Sequence, residues 1–120
     1  MSTYTFPTVR IEGETPDWAA DGRTIGFVAP RPLYGTERKI TPTGWAGEVS
    51  VNLDDPDAGR QVENNLRMDA RVAVWATRAQ MVAEVRDRIA DEYGPDVLDS
   101  LDDDEILSML RPPEPVSITV

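Results

Sequence analysis

The apolar residues of this chain change their spacing at Thr77, and the elements on either side of that point organise the reading. Over 66–74 every second position is apolar, Leu66, Met68, Ala70, Val72 and Val74, while Arg67, Asp69 and Arg71 take the other parity. Successive side chains of a strand point to opposite faces, so this alternation predicts a half-buried β-strand. After Thr77 the period lengthens. Val82, Val85, Ile89 and Tyr93 then share one face of a helix, with Glu84 and Arg88 spaced to pair one turn apart. Thr77 and Gln80 have the spacing of a capping box, and Gly94-Pro95 supplies the stop. The expected unit is a strand over 66–75 that hands over to a helix whose apolar side covers the sheet. A competing reading makes 62–93 one helix through Val62, Leu66, Ala70 and Ala73. Asn64 and Asn65 are poor helix formers and 72–75 has a strand's composition, which favours strand then helix.

The flanking segments are shorter. Over 3–11, Tyr4, Phe6 and Thr8 lie on one parity and Val9 and Ile11 on the other; the switch after Pro7, which has no N–H, predicts an edge strand with a bulge. Residues 15–22 predict one helical turn, with Thr15 as cap, Pro16 first, Gly22 as terminator and Trp18 plugging the end of the core. A short strand over 24–29 is closed by Pro30 and Pro32, and 48–53 predicts a strand with Val49, Val51 and Leu53 facing inward. The Asp/Pro run after it turns the chain, so 48–53 is expected to pair antiparallel with 66–75. Farther on, 95–101 starts a short helix, and Asp102 with Glu105 caps another whose apolar residues are Ile106, Leu107, Met109 and Leu110. Arg111 stands at its C-terminal end, where a cation is favoured. Pro112, Pro113 and Pro115 force an extended connector into a last alternating stretch, Val116, Ile118 and Val120, suited to extend a sheet edge of this chain or a neighbour.

These elements predict an α+β fold: a small, mostly antiparallel sheet packed by one main helix in the C-terminal half and one or two short helices. The chain of 120 residues reads as one domain, 1–120, with 31–47 as a long contact loop and 112–120 as an extended C-terminal tail. Composition then removes chemistry. With no Cys and no His, disulfides, thiolate nucleophiles, Cys/His zinc sites and the usual neutral-pH proton shuttle are excluded. The 22 acidic and 12 basic residues leave a net charge of −10, which repels phosphate backbones and argues against broad nucleic-acid binding. No apolar run is long enough to span a membrane and no leader pattern opens the chain, so a cytoplasmic product without a membrane partner is expected.

Two acidic runs invite a metal or proton-transfer reading. Counted from Asp54, a calcium loop finds its Gly at the sixth position, Gly59, but Asn65 at the twelfth, where a bidentate Glu is needed. An Asp/Pro turn explains Asp54, Asp55 and Asp57 better. The acids at 102–105 suit a helix N-terminus through the macrodipole alone. No catalytic, cofactor-binding or metal-binding residues are therefore expected. Only Asp54, Asp57 and the 102–105 acids could carry carboxylate chemistry, and no second group is placed to split their pKa values.

The run Met68-Asp69-Ala70-Arg71-Val72-Ala73-Val74-Trp75-Ala76-Thr77-Arg78, with the amphipathic helix through Ile89, resembles the strand and helix of tail terminator, or tail completion, proteins from the neck of long-tailed viruses. In that family a V-x-V-W-A strand runs into a helix of pattern A-x-x-x-A-x-x-V-R. Pro30-Arg31-Pro32 is similar to a proline-rich turn before the sheet. The resemblance implies a ring-forming structural protein, a hexamer capping a tail tube, with no catalytic residues and a final location in the virion. The expected function is a non-enzymatic assembly component that contacts copies of itself and other structural proteins of the particle. The candidate contacts are Arg31, Tyr34, Arg38, Lys39 and Trp45 in the 31–47 loop and Val116, Ile118 and Val120 in the last stretch. The alternative is a small acidic inhibitor or regulator that binds a basic host protein through the acids of 99–105, mimicry of DNA charge being one form it could take.

Overall fold

Pro7 divides the first extended segment between two sheets. Its missing N–H interrupts any ladder at that point, and its carbonyl accepts a hydrogen bond of 2.9 Å from the Val72 N–H. In the computed structural model, which describes residues 1–30, 33 and 45–120, β1 (Thr3–Phe6) and β2 (Thr8–Glu12) therefore part company. Strand β1 pairs antiparallel with β6 (Val116–Thr119), from Thr3 opposite Thr119 to Phe6 opposite Val116. Strand β2 pairs parallel with β5 (Arg71–Ala76). The bulged single strand expected over 3–11 is thus two strands with different partners.

The larger sheet has the order β2-β5-β3-β4, where β3 is Thr24–Ala29 and β4 is Gly47–Asn52. Strands β3 and β4 run antiparallel in full register, Thr24 opposite Asn52 and Ala29 opposite Gly47. Strand β5 meets β3 antiparallel at Phe27 with Val72 and at Val28 with Arg71. The fold is α+β and mostly antiparallel, β2–β5 being the parallel ladder among the described residues.

The expected pairing of 48–53 with 66–75 does not form, because β3 lies between those segments. What intervenes in sequence is α1 (Ala58–Arg67), which buries Ala58, Val62 and Asn65 at helical spacing. The apparent alternation at Leu66, Met68 and Ala70 therefore records a helix end and a turn. Met68 is the C-cap, Asp69 turns at φ +57°, and the Ala70 N–H reaches back to the Asn65 carbonyl at 3.0 Å. The strand proper begins at Arg71.

Thr77 hands the chain to α2 (Arg78–Tyr93) as the spacing predicts. Its hydroxyl accepts from the Gln80 N–H at 3.1 Å, while its own N–H donates to Gln80 Oε1 at 2.8 Å. Gly94 ends the helix at φ +88°, a conformation costly for other residues. Val82, Val85 and Ile89 are buried, but Tyr93, in the last turn, is 68% exposed. Glu84 and Arg88 do not pair with each other: Glu84 sits 3.3 Å from Arg10, and Arg88 donates to the Met109 carbonyl. Tertiary partners win over the i,i+4 spacing.

The buried face of α2 closes on Ile106, with Leu98, Leu101, Leu107 and Leu110 around it. These come from a 3-10 turn at Pro95–Ser100, from α3 (Asp103–Leu107) and from the residues flanking α3. Asp102 caps α3 by accepting from the Glu105 N–H at 2.8 Å. A separate core packs one face of the larger sheet, through Phe27, Val49, Val51 and Val72, against Ala58 and Val62 of α1 and Phe6 and Ile118 of the β1–β6 ribbon. The Phe6 and Phe27 rings lie 5.0 Å apart. The turn near Trp18 is a 3-10 turn at Asp17–Ala19 capped by Pro16, one residue later than Thr15, with no side-chain cap bond.

Candidate interaction face

The second face of the larger sheet gathers all three tryptophans of the chain. Its register explains how. Val9 stands opposite Ala73, Ile11 opposite Trp75, and Arg71 opposite Val28, so these side chains share the face turned away from the α1 core. Gly26 is the floor. A Cβ at that position would lie 2.6 Å from Trp75 Cη2 and 3.2 Å from Trp18 Cη2, so the two indoles can lie over β3 only because it carries no side chain there. Trp18, from the 3-10 turn, meets Trp75 edge to face at 5.6 Å and 88°, the arrangement favoured by the ring quadrupoles.

Trp45 completes the set just before β4, with the Arg71 guanidinium 5.4 Å from its ring centroid. Each indole is partly buried, with Val28 and Ala73 buried beneath. A patch of tryptophan and arginine over a packed aliphatic floor has the composition of the energetic centre of protein interfaces. It offers apolar area and a cation rather than a nucleophile or a proton relay.

Of the residues expected to make contacts, Trp45 lies on this face, while Arg31, Tyr34, Arg38 and Lys39 fall outside the described residues. Val116, Ile118 and Val120 face the chain's own core: Ile118 is 5% exposed, and the two valines pack on the same cluster. The last strand is taken up by β1, with Val120 and Ser2 exchanging backbone hydrogen bonds of 2.7 and 2.8 Å. Its outer side chains, Ser117 and Thr119, bond to Thr5 and Thr3 at 3.2 and 2.9 Å. Sequence reasoning passed over Arg71, Gly26 and the joint role of Trp18 and Trp75. The available signal was a glycine in mid-strand, which marks a close approach without naming what approaches.

Most of the carboxylates that could have carried chemistry are engaged elsewhere. Arg23 hydrogen-bonds Asp54 and holds its carboxyl below the ordinary carboxylate range. Asp57 pairs with Arg60 at 3.2 Å, Asp103 with Arg86 at 3.5 Å, and Asp104 with Arg78, whose pKa is raised by that hydrogen bond. Among the described residues no group of three or more His, Cys, Asp or Glu side chains is arranged to hold a metal ion. No described helix is long and apolar enough to cross a membrane. Comparison with protein-family models, with curated proteins and with solved structures finds no match.

Proposed function

We propose that this chain is a non-enzymatic structural protein that acts by associating with copies of itself, as one unit of a ring-like component in a larger particle such as a virion neck or tail. The observation that carries this reading is the convergence of Trp18, Trp45 and Trp75 on one sheet face beside Arg71. Large aromatic side chains held in fixed positions at a partly open surface are the usual anchors of protein association. Strand β5 passes directly into α2 through Thr77, the strand-then-helix order on which the resemblance to viral-neck proteins rests.

A closed ring needs a heterologous contact, in which one surface meets a different surface of the next copy. The helical half offers the complement. Tyr93, Val97 and Met109 are exposed apolar side chains there, at 68%, 39% and 43%, with exposed Asp96 and Asp99 beside Val97 in sequence. Apolar residues next to acids suit a face of tryptophans and Arg71. Sedimentation of wild type and Arg71→Glu tests this. The expected result is concentration-dependent assembly that the charge reversal weakens, and a wild-type monomer at every concentration would contradict it. An acidic decoy would instead stay monomeric until a basic target is added.

A further inference from the structure

A second site lies where the sheet meets the helical half. A cavity of about 220 Å³ is lined by Arg10 of β2, Glu84 and Arg88 of α2, and Arg111 and Glu114 of the proline connector. Three of the chain's 12 basic residues thus converge on one cavity in a protein of net charge −10. We propose that this cavity binds a free oxyanion of the phosphate class.

The three guanidiniums are only partly satisfied. The Arg10 side chain is 17% exposed, its one carboxylate partner among the described residues is Glu84 at 3.3 Å, and its Nε is buried without any acceptor. Arg88 donates to a neutral carbonyl, that of Met109, and pairs with no carboxylate among the described residues. Arg111 reaches Glu92 at a loose 3.4 Å, both side chains being well exposed. The lining sets three arginines against Glu84 and Glu114, with Glu92 facing Arg111 from outside it, so the surplus is one of N–H donors rather than of net charge. Each guanidinium has five N–H donors and cannot lose its charge, so the lining holds more donors than acceptors.

The shape of the deficit selects the ligand class. One guanidinium fork saturates a carboxylate, whereas a tetrahedral oxyanion can accept from forks arriving along three directions, here from a strand, a helix and a connector. The volume falls below the about 300–1,000 Å³ of sites for drug-sized ligands, which favours a small free anion. Such an anion would bridge the sheet and the helical half and stabilise the fold by mass action.

The test is titration of the intact protein with inorganic phosphate at constant ionic strength, read by the heat of binding and by the midpoint of thermal unfolding. The expected result is saturable binding at one site and a rising midpoint, which sodium chloride at the same ionic strength does not reproduce. Arg88→Gln and Arg111→Gln, with unchanged circular dichroism, should each weaken binding about tenfold or more. Glu114→Gln removes a competing anion and should tighten binding, a gain that general loss of structure cannot produce. A midpoint shift no larger than that given by chloride, or undiminished binding in both arginine variants, would overturn the proposal.

Discussion

Gly26 is the residue on which the aromatic face depends. Its backbone is not in the left-handed region, so alanine would ordinarily be tolerated; the obstacle is the Trp75 ring, 2.6 Å from where the Cβ would sit. Gly26→Ala should therefore destabilise the protein by about 1–3 kcal/mol, the range for overpacking, and change tryptophan fluorescence, as measured by denaturant unfolding. Gly59, in the first turn of α1, is the contrast. The nearest atom to its added Cβ is Val120 Cγ2 at 3.8 Å, an ordinary contact, so Gly59→Ala should stabilise by about 0.4–1 kcal/mol through the unfolded chain. In sequence Gly26 stands in mid-strand, which signals that something lies close, whereas Gly59 stands in an Asp/Pro turn. The identity of that something was not legible, because Trp18 and Trp75 reach Gly26 through the fold rather than through neighbouring positions.

At the same scale, Asp54 sets a pH dependence. Arg23 lowers its carboxyl pKa from the ordinary 3.8, chiefly by hydrogen bonding, so its stabilising contribution is present above that value and is lost as pH falls through the depressed folded pKa. The stability difference between wild type and Asp54→Asn should accordingly be constant near neutrality and shrink below about pH 4. Acid titration of both proteins by circular dichroism checks it.

Among the elements, those whose signals are local were legible and those defined by distant partners were not. The β5–α2 junction is local: Thr77, Gln80 and Gly94 each act within one turn, and all three do what their spacing predicts. Thr77→Ala should cost about 0.5–2 kcal/mol in denaturant unfolding. Helix α1 was misread because Leu66 serves two patterns, four residues after Val62 and two before Met68, and because Asn64 and Asn65 weaken the helical signal. Asn65 is nonetheless 1% exposed, and its carbonyl accepts from both Met68 and Ala70 to end the helix. Strand partners were illegible for a related reason. Alternation fixes which face a strand buries but not which strand lies beside it, so β3 could insert between β4 and β5 unseen. The apolar face of α2 was correct in Val82, Val85 and Ile89, while its cover comes from later in the chain. Ile106→Ala should therefore cost about 2–5 kcal/mol, since Ile106 is fully buried against that face.

For the whole molecule, charge and shape set the terms of association. Copies of net charge −10 repel one another, so the proposed assembly would require a contact that places the Arg71 and tryptophan face against acids or apolar groups of the next copy. Salt should screen the general repulsion between copies, so moderate ionic strength should favour assembly, whereas binding of an acidic decoy to a basic target should weaken as salt rises. Asp102 caps α3, and Asp103 and Asp104 are paired with Arg86 and Arg78, so much of the acid cluster at 102–105 is already committed within the chain. Fold class and the absence of Cys and His chemistry were readable from composition and periodicity. The site was not, since a surface built from three segments exists only once the sheet has formed.

Sedimentation velocity of the purified protein over a wide concentration range, with Arg71→Glu alongside, tests the self-association reading most directly. A wild-type protein that passes from monomer to a discrete larger species, with the transition moved to higher concentration in Arg71→Glu, is the predicted result. A single monomer boundary at all concentrations and ionic strengths, or assembly identical in the two proteins, would contradict it.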